Sequence, residues 1–367
     1  MKIKKIICFI FLFFVFVNMS GCSESEQIHQ KLVVQGIGID FAEDKYTVTV
    51  QALDFKNPAD EDNPNIKTLQ VSGTTLMEAL ENISKQTSLT PVYSQNTVVV
   101  LGQKVAEAGI DNFIDFFIRH CEARPKVKIC VTKSEASEIF NIKTNNKPLK
   151  AKDICDLIPD ELGSDILHFV SDIKNEISSP YIAWIEPNHE SGGKDICLQG
   201  VAVFSGDILS RFIDDKNAYG FMILKGVPNF GAFTLSTEDF GNVTCATNKI
   251  SNNTEVEFNN DLPYFDINLN IDISVFAMDK KYDLYFDEET KNLISQKFSK
   301  ETEEIYGEVI NMLINSGEDV FNWGRILKNS NPDYFKTIER DWKNNIKKCN
   351  YKITQNINIA VTGKEPV

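Results

Sequence analysis

Between Phe265 and Val275 every second residue is large and apolar. Phe265, Ile267, Leu269, Ile271, Ile273 and Val275 alternate with Asp266, Asn268, Asn270, Asp272 and Ser274. Side chains on a β-strand point to opposite faces in turn, so this segment reads as one long strand with a buried face and a wet face. Such a strand demands a sheet with one covered side, and the sequence that follows supplies the cover. Lys291 to Ser316 carries Ile294, Phe298, Ile305, Val309 and Met312 along one stripe and meets Gly317 at its end. That spacing predicts a helix of about 40 Å at 1.5 Å per residue. A shorter helix is expected over Asp319 to Leu327, and a third from Asn331-Pro332 to about Lys348. Trp342 falls in register with Phe335 and Ile338, which predicts that it is buried. A closing strand carries Ile353, Ile357, Ile359 and Val361. The last third therefore reads as an α+β domain.

Upstream, strands and helices alternate. Leu32–Asp40 and Tyr46–Leu53 read as strands joined by the polar turn Ala42 to Lys45. Asn57 to Asn65, with two prolines and three acids, reads as an exposed loop. Thr75 and Glu78 form a capping box before Leu76, Leu80 and Ile83. Val98 to Leu101 is a buried strand ended by Gly102, Asn112 to His120 a helix with Phe113, Phe116 and Phe117 facing a core, and Val127 to Val131 a further strand. Lys143 to Lys150 reads as an exposed loop, Leu157 to Ile177 as one or two helices, and Glu186 to Lys194 as a linker. Beyond it, Cys197 to Asp207 reads as a hairpin turning at Ser205-Gly206-Asp207, and Phe221 to Leu224 as a short strand. The expected organisation is a leader over 1–21, an α+β domain over 22–190, a small β-rich middle domain over 191–250 and an α+β domain over 251–367. The fold class is α+β, with mixed and antiparallel sheets packed against helices.

The first 21 residues hold Lys2, Lys4 and Lys5, no acid, and an apolar run from Ile6 to Val17. That run is shorter than the roughly 20 residues a spanning helix needs. A basic start, a short apolar core and small residues before a cut site describe a secretory signal. Met19-Ser20-Gly21-Cys22 resembles the lipobox of bacterial lipoproteins, in which the cysteine thiol receives a diacylglyceryl group and becomes the new N-terminus. Cys22 is therefore the expected lipid attachment site. The chain has 38 basic and 52 acidic residues, a net charge of −14, and loss of the leader makes it more negative still. An anionic lipid surface repels such a body, so acyl chains rather than charge would hold it at a membrane. The same charge excludes nucleic acid, which needs a basic face.

Chemistry-bearing motifs are few. The four histidines, His29, His120, His168 and His189, form no H-E-x-x-H and no pair at i and i+4, so neither metal nor cofactor is expected. There is no G-x-S-x-G, P-loop or S-x-x-K, and Gly36-Ile-Gly38 lacks the third glycine of a nucleotide fingerprint. Beyond Cys8 and Cys22, the cysteines (121, 130, 155, 197, 245 and 349) are scattered without close pairs. Several lie in apolar segments, which suggests small buried hydrophobes and no structural disulfide.

Taken in order, several segments resemble the spore germination lipoprotein family Ger(x)C, the C subunit of germinant receptors. They are Gly36 to Asp40, Ser72 to Leu80, Tyr93 to Gly102, Phe116 to Arg124, Gly200 to Phe204, Asp319 to Arg325, Pro332, Trp342 and Val361-Thr-Gly363. The resemblance covers nearly the whole chain after the leader. It departs at Ser23-Glu24, where Trp-Asp is common, at Gln95 in place of a histidine, and at Asn322-Trp323 in place of a Gly-Phe type pair. It implies a three-domain, non-enzymatic lipoprotein on the outer surface of the spore inner membrane. It also implies assembly with membrane A and B subunits that sense small nutrients and trigger germination. The residues around Asp319, Trp323 and Arg325 are a candidate partner-contact face, with core packing as the competing reading. A different class remains open: a lipid-anchored solute-binding protein that itself captures a small ligand, with two α/β lobes around a cleft.

Overall fold

The computed structural model describes residues 30–54, 65–119, 126–144, 147–175, 177–259, 262–279 and 287–360. The leader, Cys22, the loop 57–64, His29, His120, Cys121 and the final Val361-Thr-Gly363 lie outside the described residues.

In chain order the strands are β1 (Lys31–Ala42), β2 (Lys45–Asp54), β3 (Asn65–Gly73), β4 (Thr90–Val92), β5 (Val98–Gly102) and β6 (Lys128–Thr132). There follow the short hairpin β7 (Lys143–Thr144) and β8 (Lys147–Pro148), then β9 (Tyr181–Pro187), β10 (Ile196–Ser205) and β11 (Ile208–Ile213). The last four are β12 (Phe233–Thr237), β13 (Gly241–Asn259), β14 (Leu262–Met278) and β15 (Asn350–Ala360). The helices are α1 (Leu76–Thr87), α2 (Gln103–Ala108), α3 (Asp111–Arg119), α4 (Ala136–Asn141), α5 (Ala151–Leu157), α6 (Ile166–Lys174), α7 (Asp215–Lys225) and α8 (Glu288–Asn315). Three shorter ones close the set, α9 (Trp323–Ser330), α10 (Pro332–Ile338) and α11 (Trp342–Asn345).

Two mixed sheets organise the molecule. The first runs β11-β10-β9-β6-β5-β1-β2-β3, with β4 added beside β1. Its centre, β9-β6-β5-β1, is parallel and its two flanks are antiparallel. A parallel centre covered on both faces should read as continuous apolar runs, and Val98 to Leu101 and Ile129 to Val131 are all fully buried. The second sheet is β12-β13-β14-β15, with β14 and β15 parallel. The alternation that opened the sequence is seen directly. Phe265, Ile267, Leu269, Ile271 and Ile273 are at most 2% exposed, whereas Asn270 is exposed. The α+β class with mixed sheets and helices thus holds.

One continuous apolar core joins Val98, Cys130, Ala183, Val201 and Val203 of the first sheet to Ile267, Ile271, Ile305, Trp323 and Trp342. A second core covers the opposite face of the first sheet, with Phe113, Phe117, Phe169 and Phe204. Helix starts follow the expected chemistry. Thr75 Oγ1 accepts from the Glu78 N–H at 3.1 Å, although Glu78 returns to the N–H of Thr74 at 2.8 Å rather than to Thr75. Asp287 caps α8 by accepting from Thr290 N–H at 2.8 Å. Along α8 the stripe is Ile294, Phe298, Ile305, Val309 and Leu313; Met312, expected on it, is only half-buried.

Several expectations are corrected. Residues 221–224 are not a strand but the end of α7, where every residue from Ala218 to Leu224 is buried. An apolar run buried on all sides carries no period to distinguish helix from strand. Glu186 to Lys194 is not an interdomain linker. Pro187 ends β9, and the Asn188 N–H donates to Asp195 O at 2.7 Å, closing a loop between the paired strands β9 and β10. The expected boundaries at 190/191 and 250/251 therefore fall inside sheets. β10 and β11 extend the first sheet, and β13 crosses residue 250 within the second. The segment 143–150 holds the β7–β8 hairpin, and Leu149 is buried. The helix expected up to Lys348 is broken into α10, a 3₁₀ turn over Glu339–Asp341, α11 and a second 3₁₀ turn over Ile346–Lys348. Gly36 and Gly38 serve packing: a Cβ would meet the Phe140 ring at 2.7 Å and 3.1 Å respectively.

Candidate functional site

The segment that follows α8 is where the two sheets meet. Gly317 turns the chain with φ +76°, and a Cβ there would lie 2.5 Å from Lys343 O, so glycine is required. Glu318 to Phe321 then run without regular structure, and Asn322, at φ 60°, starts α9 from the left-handed region. The helix expected from Asp319 thus begins four residues later, because Asp319 caps it. Oδ1 of Asp319 accepts from the Trp323 N–H at 2.8 Å and Oδ2 from the Gly324 N–H at 2.7 Å. Oδ2 also accepts from Trp342 Nε1–H at 3.0 Å. Asp319 is 1% exposed, and burial pushes its carboxyl up to about 6, against the lowering pull of those three donors and of Lys225.

The first sheet grips this segment from several sides. Ser179 donates its N–H to Asp319 O at 3.0 Å and accepts the Asp319 N–H on Oγ at 3.0 Å. Ser178 Oγ donates to Asn322 Oδ1 at 2.8 Å. Lys225 Nζ donates to Val320 O at 3.1 Å while lying 4.6 Å from the Tyr181 ring centre. On β11, Ser210 Oγ donates to Glu318, and Arg211 Nε lies 2.9 Å from Glu318 Oε2, at ion-pair distance but off hydrogen-bond geometry. From the other side, Trp323 stacks on Phe265 of β14, ring centres 4.4 Å apart and planes within 15°.

Of the three residues expected on a contact face, Asp319 and Trp323 are each 1% exposed and belong to the core; Arg325 alone is exposed. Trp342 is buried as expected, its ring 5.5 Å from Phe335. Ser178, Ser179, Lys225 and Glu318 were not singled out from the sequence. Their partners lie 95 to 144 residues away, and no local pattern encodes such a pairing. The carboxylate of Asp319 is fully engaged by N–H donors, so this seam is built to hold rather than to react. Among the described residues, no group of three or more His, Cys, Asp or Glu is placed to hold a metal ion. No helix among them is long and apolar enough to cross a membrane. Beside the seam, a cleft of about 850 Å³ opens between residues 173–175 and 177–179 on one side and the turn and helix over 339–344 on the other.

Comparison with known proteins gives this architecture a context. Residues 24–187 match the family model described as the spore germination protein N-terminal domain, and residues 199–363 the one described as spore germination B3/GerAC like, C-terminal. The chain is 26% identical over 220 residues to a putative spore germination protein YfkR of Bacillus subtilis, covering 56% of this chain and 57% of that protein. It is 28% identical over 156 residues to spore germination protein B3 of the same organism, covering 40% of each. The matched stretches thus span about half the length of these curated relatives. The crystal structure of the GerBC protein superposes with a TM-score of 0.58 at 19% identity, over 88% of this chain and 96% of that one. At that identity the likeness is one of fold. With both family models matched in order along the sequence, the chain belongs to the germinant receptor C-subunit family of spore germination proteins.

Proposed function

We propose that this protein is a non-enzymatic, lipid-anchored subunit of a spore germinant receptor. In this reading Cys22 carries the lipid, and the body stands at the outer surface of the spore inner membrane beside membrane A and B subunits that sense small nutrients. The observation that carries the proposal is the ordered match of both halves to the two spore germination family models. Physical arguments support it. A chain of net charge −14, more negative still without its leader, gains nothing from an anionic surface, whereas a diacylated cysteine supplies a stable anchor. Tethering beside integral partners raises effective concentration, so modest contacts suffice. The solute-binding alternative calls for two similar lobes around a cleft. The two sheets here differ in strand number and order and share one apolar core.

The test is a deletion in the native spore former, complemented with wild type or with Cys22→Ala. Expected are loss of response to one class of germinant, rescue by wild type alone, fatty-acid labelling that vanishes in the variant, and co-isolation of receptor subunits with tagged wild type. Unchanged germination in spores lacking the gene and every paralogue would overturn the reading. So would micromolar binding of a germinant to the purified protein without partners.

A further inference from the structure

The cleft beside the seam carries an uneven set of charges. Lys174 closes α6 on one wall; Arg340 and Lys343 stand on the other, and all three are exposed. Lys328 also lines the cleft but is paired with Glu339 at 2.7 Å. The remaining acid on the wall, Asp341, accepts from Asn344 Nδ2 at 2.7 Å. Among the described residues, Lys174 and Arg340 have no ion-pair partner. Lys343 reaches only the neutral Ser205 Oγ, at 3.1 Å. Among the described residues, three cations without an ion-pair partner face one acid, a positive concavity on a chain whose acids outnumber its bases 52 to 38.

We propose that this cleft docks an extended acidic segment of a partner protein, its carboxylates facing Lys174, Arg340 and Lys343. The proposal rests on the partner-assembly reading above and names the chemistry of one contact. Three considerations select a peptide. Pockets for small molecules are lined mainly by apolar groups with a few polar ones, whereas most residues lining this cleft are charged or polar. A planar layer of lipid headgroups cannot enter a concavity, and the net negative body is repelled from an anionic surface. Asn175 on one wall and Asn344 on the other add side-chain amides, groups suited to a peptide backbone. Unpaired rim cations also favour fast, salt-sensitive encounter with an acidic partner. The cleft wall includes Ser178 and Ser179, which bond to Asn322 and Asp319, so an occupant would touch the seam between the sheets.

The test uses the full-length protein in a neutral detergent and a fluorescent peptide of alternating glutamate and glycine, followed by fluorescence anisotropy. The glutamate peptide is expected to bind and to be released as salt rises, while its glutamine counterpart does not bind. The variant Lys174→Gln/Arg340→Gln/Lys343→Gln is expected to lose at least about tenfold in affinity with an unchanged circular dichroism spectrum. Lys249→Gln/Lys300→Gln, with both substitutions at exposed lysines elsewhere, should bind as wild type. Equal binding of both peptides, undiminished binding by the triple variant, or no binding at all would overturn the proposal. So would a triple variant that lost affinity for phosphatidylglycerol vesicles or for citrate but not for the peptide. In spores, receptor subunits that co-isolate with wild type and equally with the triple variant would refute the cleft while leaving the assembly reading standing. Failure of wild type itself to co-isolate them would refute that reading instead.

Discussion

The indole N–H of Trp342 donates to Oδ2 of Asp319 across 3.0 Å, so one buried carboxylate joins α11 to the cap of α9. The Ser179 backbone adds the first sheet to the same point through the Asp319 main chain. Removing the carboxylate strands three buried N–H donors, each costing about 1–3 kcal/mol when left unpaired. Asp319→Ala is therefore expected to destabilise the protein by several kcal/mol, and Asp319→Asn by less, since the amide keeps one acceptor. Trp342→Ala should cost about 3–5 kcal/mol, as for other buried tryptophans. Urea denaturation reads all three; an unshifted midpoint for Trp342→Ala would mean that its burial contributes nothing.

The same carboxylate predicts a sign for the pH dependence. Burial raises it from its ordinary value of 3.8 to about 6 in the folded state. The folded chain therefore holds this proton over a range where the unfolded chain has lost it. Its contribution to stability is fully present below the unfolded value, falls as pH rises from about 4 through about 6, and is level above that. Lys225 faces the carboxylate and lowers its value, and Asp319 raises that of Cys349, so both groups belong to the same environment. The advantage in urea midpoint of wild type over Asp319→Asn, followed from pH 7 to pH 4, should grow toward the acidic end if burial dominates as described. An advantage that shrinks toward acid would mean the three N–H donors outweigh burial.

Two glycines separate packing from propensity. A Cβ at Gly324 would fall 2.2 Å from Ile177 Cγ2 and 2.8 Å from Trp342 Nε1. Gly324→Ala is expected to cost about 1–3 kcal/mol by overpacking. At Gly307, inside α8, the nearest atom to a new Cβ is Tyr351 Oη at 3.8 Å. Gly307→Ala should leave stability unchanged or raise it by about 0.5–1 kcal/mol through helix propensity. Thermal melts of the two variants should move in opposite directions.

What the sequence revealed, and what it hid, follows from the range of each interaction. The alternation of Phe265 to Val275, the cap at Thr75 and the burial of Phe335 and Trp342 are encoded within a few residues, and all three appear in the structure. From sequence, the Asp319–Arg325 segment reads as a candidate contact face, with core packing as the competing reading. Yet Trp323 is inside, stacked on Phe265, because only the tertiary fold decides which side of a short helix is covered. The partition of residues 191–250 was hidden for a similar reason. A hairpin such as β10–β11 looks alike whether it stands alone or extends a neighbouring sheet, and β9 pairs with it through a register no local signal carries.

Thiol chemistry follows burial. Cys130, Cys245 and Cys349 are buried and Cys155 and Cys197 half-buried, and all five are free thiols. Burial pushes Cys245 and Cys349 up to about 12, and also raises Cys130, Cys155 and Cys197. Since the thiolate is the reactive form, iodoacetamide on native protein is expected to modify Cys155 and Cys197 first, and Cys130, Cys245 and Cys349 only on unfolding. Peptide mass spectrometry over a time course checks the order; early labelling of Cys130 would contradict its placement.

The last prediction concerns whether the two family-model halves are separable. Division at residue 199 would cut β10 near its start and remove β9, its hydrogen-bonded neighbour. Val201, Val203 and Phe204, all fully buried, would lose the first sheet as their cover. The Ser179 contacts to Asp319 and the Ser178 contact to Asn322 would be lost as well, leaving the Asp319 N–H without its acceptor. Exposed apolar edge strands promote association, and one shared core joins the two sheets. A fragment of residues 199–367 is therefore expected to aggregate or to melt without cooperativity. A fragment of residues 178–367 keeps β9 and both serines and should behave better, though it lacks β6 beside β9. The full-length protein should unfold in one transition that is coincident by tryptophan fluorescence and far-UV circular dichroism. A cooperative melt of the 199–367 fragment at the temperature of the whole protein would show that the seam at Asp319 is dispensable for folding of the C-terminal half.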